Sequence, residues 1–274
     1  MDELFQNPAV QAGVVPFVAA LIAAGLLMRT RLLGLAQVVG FAAVVALAIG
    51  FSFESLTSTR KLVLAGLFTL LPILLLELRD WSTRAAARSA IALVAGLAGV
   101  WVALRVLQQK ETAAALLAGA ATALYLAALV ESTLRVGSDT VRGAAAGLML
   151  GLAGGALALL GASALLAQMG IAVGAAAGAT LLVQMIAGKR SPTGATLSLP
   201  ASVVAGLVGL LAVFTASLPW YCLLPTLAIP WATRLVPAGS RPVWLTAFLT
   251  ALAAFVPLLL AVGLAWFTAG TPST

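Results

Sequence analysis

The chain has 274 residues, 62% of them hydrophobic and only 8% charged, with a formal net charge of +7 and a mean hydropathy of +1.14. A soluble domain carries about 25% charged residues, so a soluble body of this size could not cover its surface with polar groups. One cysteine, Cys222, and no histidine at all exclude an internal disulfide, His-ligated haem, most zinc and copper sites and His proton relays.

Two structures can span a bilayer, the α-helix and the closed β-barrel. A barrel needs roughly ten-residue segments that alternate apolar and polar. The apolar runs here are continuous and rich in Ala, Leu and Gly, so the expected fold is an all-α, polytopic membrane helix bundle forming one domain.

The chain opens on Asp2 and Glu3, followed by Asn7 and Pro8, without the positive start of a secretory signal. A crossing takes about 20 apolar residues. Ten spans are predicted, near residues 9–28, 33–51, 62–78, 89–107, 112–130, 143–163, 167–187, 199–218, 220–235 and 243–267. The run from Gly143 to Gly188 holds no charge. As one helix it would be about 65–70 Å long, twice the hydrocarbon core, so it must turn back, most readily near Gly161, Ser163 and Gln168. The ninth span is short and holds Pro225 and Pro230. It is expected to be kinked, broken or re-entrant.

Charge orients these spans, because Lys and Arg collect in short cytoplasmic loops. With the N-terminus outside and ten crossings, the inside loops hold eleven basic and four acidic residues, the outside loops four and four. Both termini are then outside, and the whole net charge sits on the inner face. With few lysines among many arginines and much Ala and Gly, the expected location is a bacterial inner membrane.

Three spans share a pattern whose G-L-x-G begins at Gly96, Gly151 and Gly206, each 55 residues after the last. This suggests a parallel repeat of helical hairpins. Gly143, Gly147, Gly151 and Gly155, and likewise Gly170, Gly174 and Gly178, recur every four residues. Such stripes let another helix approach closely, either the neighbouring helix or another subunit.

Charge at mid-membrane would mark an ion or proton pathway. None is expected here, because Glu77, Arg105 and Glu131 lie near span ends, where they can snorkel to the interface. Gln37, Thr69, Thr122, Gln168, Thr180, Gln184 and Thr215 are expected to bond between helices. In the loop Phe51–Lys61, Glu54 can pair with Arg60, Phe51 and Phe53 can anchor at the interface, and Ser58 or Thr59 can cap the third helix. Pro219 and Trp220 join the eighth and ninth spans; together with Pro225 and Pro230 they could instead break a helix toward a cavity. Pro72 and Pro257 read as kinks. On the inside, Asp80 precedes Arg84, and Glu131 precedes Arg135, by four residues, the spacing of surface helix pairs.

No phosphate-binding glycine loop, CxxC, HExxH or Ser/His/Asp set is present, and no loop could fold as a soluble domain. No cofactor, metal, catalytic residue or nucleic-acid partner is expected. The lipid bilayer is the expected partner, with other membrane subunits possible through the glycine faces. The function expected is that of a permease for a small neutral or amphipathic solute or a lipid, without a buried ionic coupling site. Weak binding or gating candidates are Glu54, Arg60, Pro219, Trp220, Pro225 and Pro230. The alternative is a non-catalytic scaffold or assembly subunit of a larger membrane complex.

Overall fold

Hydrocarbon offers no partner to a peptide group, so each uncharged stretch coils and satisfies its own backbone. The computed structural model describes residues 7–269 except 52, 53, 55, 83, 216, 217 and 238–240. Phe53 and the acidic residues Asp2 and Glu3 therefore lie outside the described residues. Among the described residues eleven α-helices follow one another: α1 Val15–Leu27, after a π-helical turn at Val10–Val14; α2 Leu35–Ala48; α3 Ser58–Phe68; α4 Leu70–Leu78; α5 Ala85–Leu107; α6 Thr112–Val136; α7 Thr140–Leu160; α8 Ala164–Ala187; α9 Leu199–Thr215; α10 Leu224–Ala232; and α11 Val243–Ala269. No strand occurs among the described residues. Among the described residues eight helical stretches are long and apolar enough to cross a membrane, with Leu35–Ala48 a shorter apolar helix beside them.

Local chemistry sets the breaks. α3 and α4 form one bent stretch, Ser58–Leu78, interrupted at Thr69. Pro72 lacks the N–H that would bond the carbonyl one turn earlier, and the Thr69 hydroxyl donates to Gly66 O at 2.6 Å. α7 and α8 are joined by Gly161–Ser163, where Ala162 takes a positive φ of 60°. Gln168 is inside α8, a turn beyond the bend. α8 ends on Gly188 at φ 62°, a left-handed cap that glycine adopts without strain. Thr57, not Ser58 or Thr59, caps α3, accepting from Arg60 N at 3.3 Å. Asp139 caps α7, accepting from Val141 N at 3.1 Å.

α9 is the axis of the bundle: every residue from Leu199 to Ala212 is buried, whereas the outer stretches α1, α3–α4, α5, α6 and α11 bury less than half of theirs. Around it pack α3, α5, α6, α7 and α8. α7 and α8 make the tightest pair, and the glycine stripes explain why. A Cβ on Gly151 would lie 2.3 Å from Gly174 N, and one on Gly155 2.7 Å from the Ile171 side chain. A Cβ on Gly170 would meet Gly155 N at 2.5 Å. These glycines face each other inside the chain, so a second subunit would have to use a different surface.

The glycines of the 55-residue pattern have different neighbours. Gly96 faces Ala123 O on α6, and Gly151 faces α8, in each case the following helix. Gly206 faces Leu126 and Leu129 of α6 instead. The third copy belongs to the central helix, whose surroundings differ from those of α5 and α7.

Five connectors meet at one end of the bundle. Arg31 pairs with Asp80 at 2.8 Å, and Leu33 N donates to Thr193 Oγ1 at 3.3 Å. Arg190 reaches Asp139 at 3.4 Å, Arg142 donates to Val236 O at 2.7 Å, and Arg234 donates to Arg135 O at 3.3 Å. This end is the basic face. Asp80 bonds across loops to Arg31, and not to Arg84; Arg79 and Arg84 both lie over the Trp81 ring, at 5.2 and 5.1 Å. The reason is backbone geometry: Asp80 sits at φ 55°, outside any helix. Glu131 and Arg135 do pair along α6, at 2.9 Å.

Candidate functional site

Two features combine unusual chemistry with a defined place in the bundle. The first is a groove of about 760 Å³ on its flank, between α6 and the start of α10, with the end of α9 as its back wall. Ala114, Ala118, Ala121 and Ala128 make a low floor along α6. Leu210, Val213 and Phe214 close the back, and Trp220, Leu223, Leu224 and Leu227 form the far side. The lining is apolar apart from the Thr122 and Tyr125 hydroxyls and the indole of Trp220. From Ala114 to Ala128 the groove follows about 21 Å of helix at about 1.5 Å per residue, most of a hydrocarbon core of about 30 Å.

The groove begins at the end of the bundle away from the basic face. Leu117 and Leu224 on its rim are exposed. Tyr125 and Thr226 then tie α6 to α10 by a hydroxyl–hydroxyl bond of 2.9 Å. At the basic face the two segments meet again where Arg234 bonds Arg135 O. The segment 220–235 therefore runs alongside α6 from one end of the bundle to the other, although α10 proper has only nine residues.

The sequence candidates fall around this groove and away from it. Trp220 is on the rim, 65% exposed, and Pro219 is half-buried just before it. Pro225 occupies the first turn of α10, where a missing N–H leaves nothing unpaired, and Pro230 is buried inside the helix. Its carbonyl accepts from the Thr233 hydroxyl at 2.6 Å. Glu54 is exposed, Arg60 is in the first turn of α3, and neither lines the groove.

The second feature is a buried polar cluster under the basic face. Its centre is the connector Ser191–Ser198, in which Ser191, Thr193, Ala195, Thr196, Leu197 and Ser198 are all buried. Glu77, at the end of α4, is 1% exposed. Its carboxylate accepts from Gly194 N at 2.9 Å, from Thr196 N at 3.2 Å, from the Thr196 hydroxyl and from Ser82 Oγ at 3.3 Å. Gln184 Oε1 accepts from Thr140 Oγ1 at 2.7 Å and from Ser191 N at 3.4 Å. Ser191 and Thr193 share a hydroxyl bond of 2.9 Å, and Gln37 reaches Thr180 at 3.5 Å.

Glu77 therefore does not snorkel to the interface as its position in the sequence suggests. Four donors from its surroundings replace water, which makes a buried carboxylate tolerable. Lys61 is buried too: its ammonium donates to Trp101 O at 3.0 Å and lies 5.1 Å from the Trp101 ring centre. The expected interhelical bonds form for Gln37 and Gln184, whereas Thr69 and Thr215 bond back to Gly66 O and Leu211 O of the preceding turn. The signal for the polar cluster was the connector itself, SPTGATLS, with four hydroxyl residues between two apolar spans.

Comparison with protein-family models, with curated proteins and with solved structures returns no match. What the sequence and the fold define is a class: a multi-pass membrane protein built as an all-α bundle around one buried helix.

Proposed function

We propose that the chain is permease-like and handles an amphipathic solute or a lipid, whose apolar part lies in the flank groove. The observation that carries this reading is the groove itself: about 760 Å³, almost wholly apolar, and lying on the outer flank of the bundle along α6. The centre of the bundle is filled by α9, which favours a route along the flank over an axial pore. Small side chains on α6 hollow the groove, and the Tyr125–Thr226 bond ties α6 on one side to α10 on the other. The reading assigns no catalytic step. It places the protein in a bacterial inner membrane with the basic face cytoplasmic, supported by the gathering of arginine-bearing connectors at one end.

The test is a reconstitution. Purified protein in vesicles should redistribute a fluorescent phospholipid between leaflets, and filling the groove by Ala121→Trp should suppress this. Lipid redistribution that is absent, or indifferent to Ala121→Trp, would sink the reading. The alternative, a non-catalytic scaffold or assembly subunit, expects a partner helix seated in the same groove. Crosslinking from position 220 in native membranes would then capture one defined protein and not lipid.

A further inference from the structure

We propose that residues 189–198 form a gate that closes the basic end of the bundle, and that the Glu77 carboxylate is its latch. Irregular backbone next to hydrocarbon persists only where protein buries it or where it borders a polar cavity. This connector, irregular as far as Gly194 and a 3₁₀ turn from Ala195 to Ser198, meets the first condition through close backbone contact. A Cβ on Gly137 would lie 2.4 Å from Ala195 O, and one on Gly34 3.3 Å from the Leu197 backbone. A Cβ on Gly194 would meet Ser82 Oγ at 2.2 Å and Glu77 Oε2 at 2.7 Å. The fit leaves no room for a side chain at Gly137 or Gly194 and only a tight one at Gly34.

What holds the connector is as specific as its fit. Regular helices hold themselves through their own backbone. Here two backbone N–H groups, of Gly194 and Thr196, donate to a single carboxylate from a distant helix, and the Thr196 hydroxyl joins them. Removing that one anion unties three donors at once. Gly188, the left-handed cap of α8 at φ 62°, separates the connector from the helix before it.

What lies behind the connector gives it a use. Gln184, Thr140, Thr180 and Gln37 form a polar column leading inward from Ser191. Thr180 is seven residues before the end of α8, about 10 Å deep at about 1.5 Å per residue. With the connector in place this column is sealed. With it displaced, the column opens to the basic face. The gate rests on geometry alone and holds whether or not the flank groove carries lipid.

The test uses accessibility and not transport. Ser198→Cys on a Cys222→Ser background places a single buried thiol at the connector's inner end. In detergent it should react slowly with a small maleimide. Adding Glu77→Gln should raise the rate at least about tenfold, the effect of losing a charge-assisted hydrogen bond. If the Gln variant does not fold, Ser82→Ala, which removes only the donor at 3.3 Å, should give a smaller rise. Native Cys222, buried elsewhere in the bundle, serves as control in chains without the second cysteine and should stay protected in every variant. Equal rates with and without the latch overturn the proposal. So does simultaneous exposure of Cys222, which would mean that Glu77 holds the whole fold and not a gate.

Discussion

Tyr125 and Thr226, 101 residues apart, share a hydroxyl–hydroxyl bond of 2.9 Å that joins α6 to α10 beside the flank groove. Thr226 also donates to Leu223 O at 2.6 Å, so its hydroxyl proton is committed there and Tyr125 is the donor between the two. Replacing Tyr125 by Phe keeps the ring and removes the bond. Hydrogen bonds between membrane helices average about 0.6 kcal/mol. Tyr125→Phe should therefore lower stability by about 0.5–1 kcal/mol in a reversible unfolding titration, and Thr226→Val added to it should cost only its own bond to Leu223 O, because the shared bond is already lost.

The α7–α8 contact should be far less forgiving than its composition suggests. Gly151→Ala would place a Cβ 2.3 Å from a backbone nitrogen of α8, which cannot rotate away. Overpacking of this kind costs about 1–3 kcal/mol. Gly25→Ala, on the exposed side of α1 with nothing within 4 Å, should be neutral or stabilising by up to about 1 kcal/mol. Thermal denaturation of the two variants side by side checks the contrast.

Gly194→Ala should destabilise the basic end, and the cause can be isolated. The new Cβ would clash first with Ser82 Oγ at 2.2 Å. Removing that oxygen by Ser82→Ala should restore part of the loss. The double variant should thus be more stable than the sum of the two single losses, with a coupling of about 0.5–3 kcal/mol. Strict additivity would show that the serine is not the obstacle.

Groove occupancy can be read without any transport assay. Native mass spectrometry of the purified chain should show retained lipid, and Ala118→Leu with Ala121→Trp should reduce it, because both side chains line the floor. Ala113, exposed on the same helix and outside both this groove and the apolar groove between α5 and α6, supplies the control. An Ala113→Leu variant should retain lipid as the parent does.

Orientation has a direct check as well. Lys110 and Lys189 are both exposed, at opposite ends of the bundle. On a Cys222→Ser background, cysteines at these two positions should label from opposite sides of intact cells, position 110 from outside and position 189 only after permeabilisation.

The helical membrane class was legible in the sequence because its cause is local. A run without charge must satisfy its backbone internally, whatever the rest of the chain does. The glycine stripes were legible as close-packing surfaces for the same reason, since spacing along one helix fixes one face. Their partners were not legible: that Gly151 meets Gly174 depends on how α7 folds back on α8. The two buried charges were missed for a related reason. Glu77 and Lys61 lie near span ends, and sequence position alone suggests that they reach water. The groups that enclose Glu77 arrive from 117 and 119 residues away, and the carbonyl that accepts from Lys61 from 40.

By itself, then, the sequence determined that this chain coils, that its helices lie in hydrocarbon and which stripes on them are smooth, because hydrophobicity and side-chain size act within a turn or two. Only the tertiary structure decided which helix became the axis, where a groove was left between α6 and α10, and that the connector Ser191–Ser198 turns inward onto Glu77. Those outcomes come from fitting surfaces of similar composition against one another, and in a chain so rich in Ala, Leu and Gly many pairings read alike until the backbones meet.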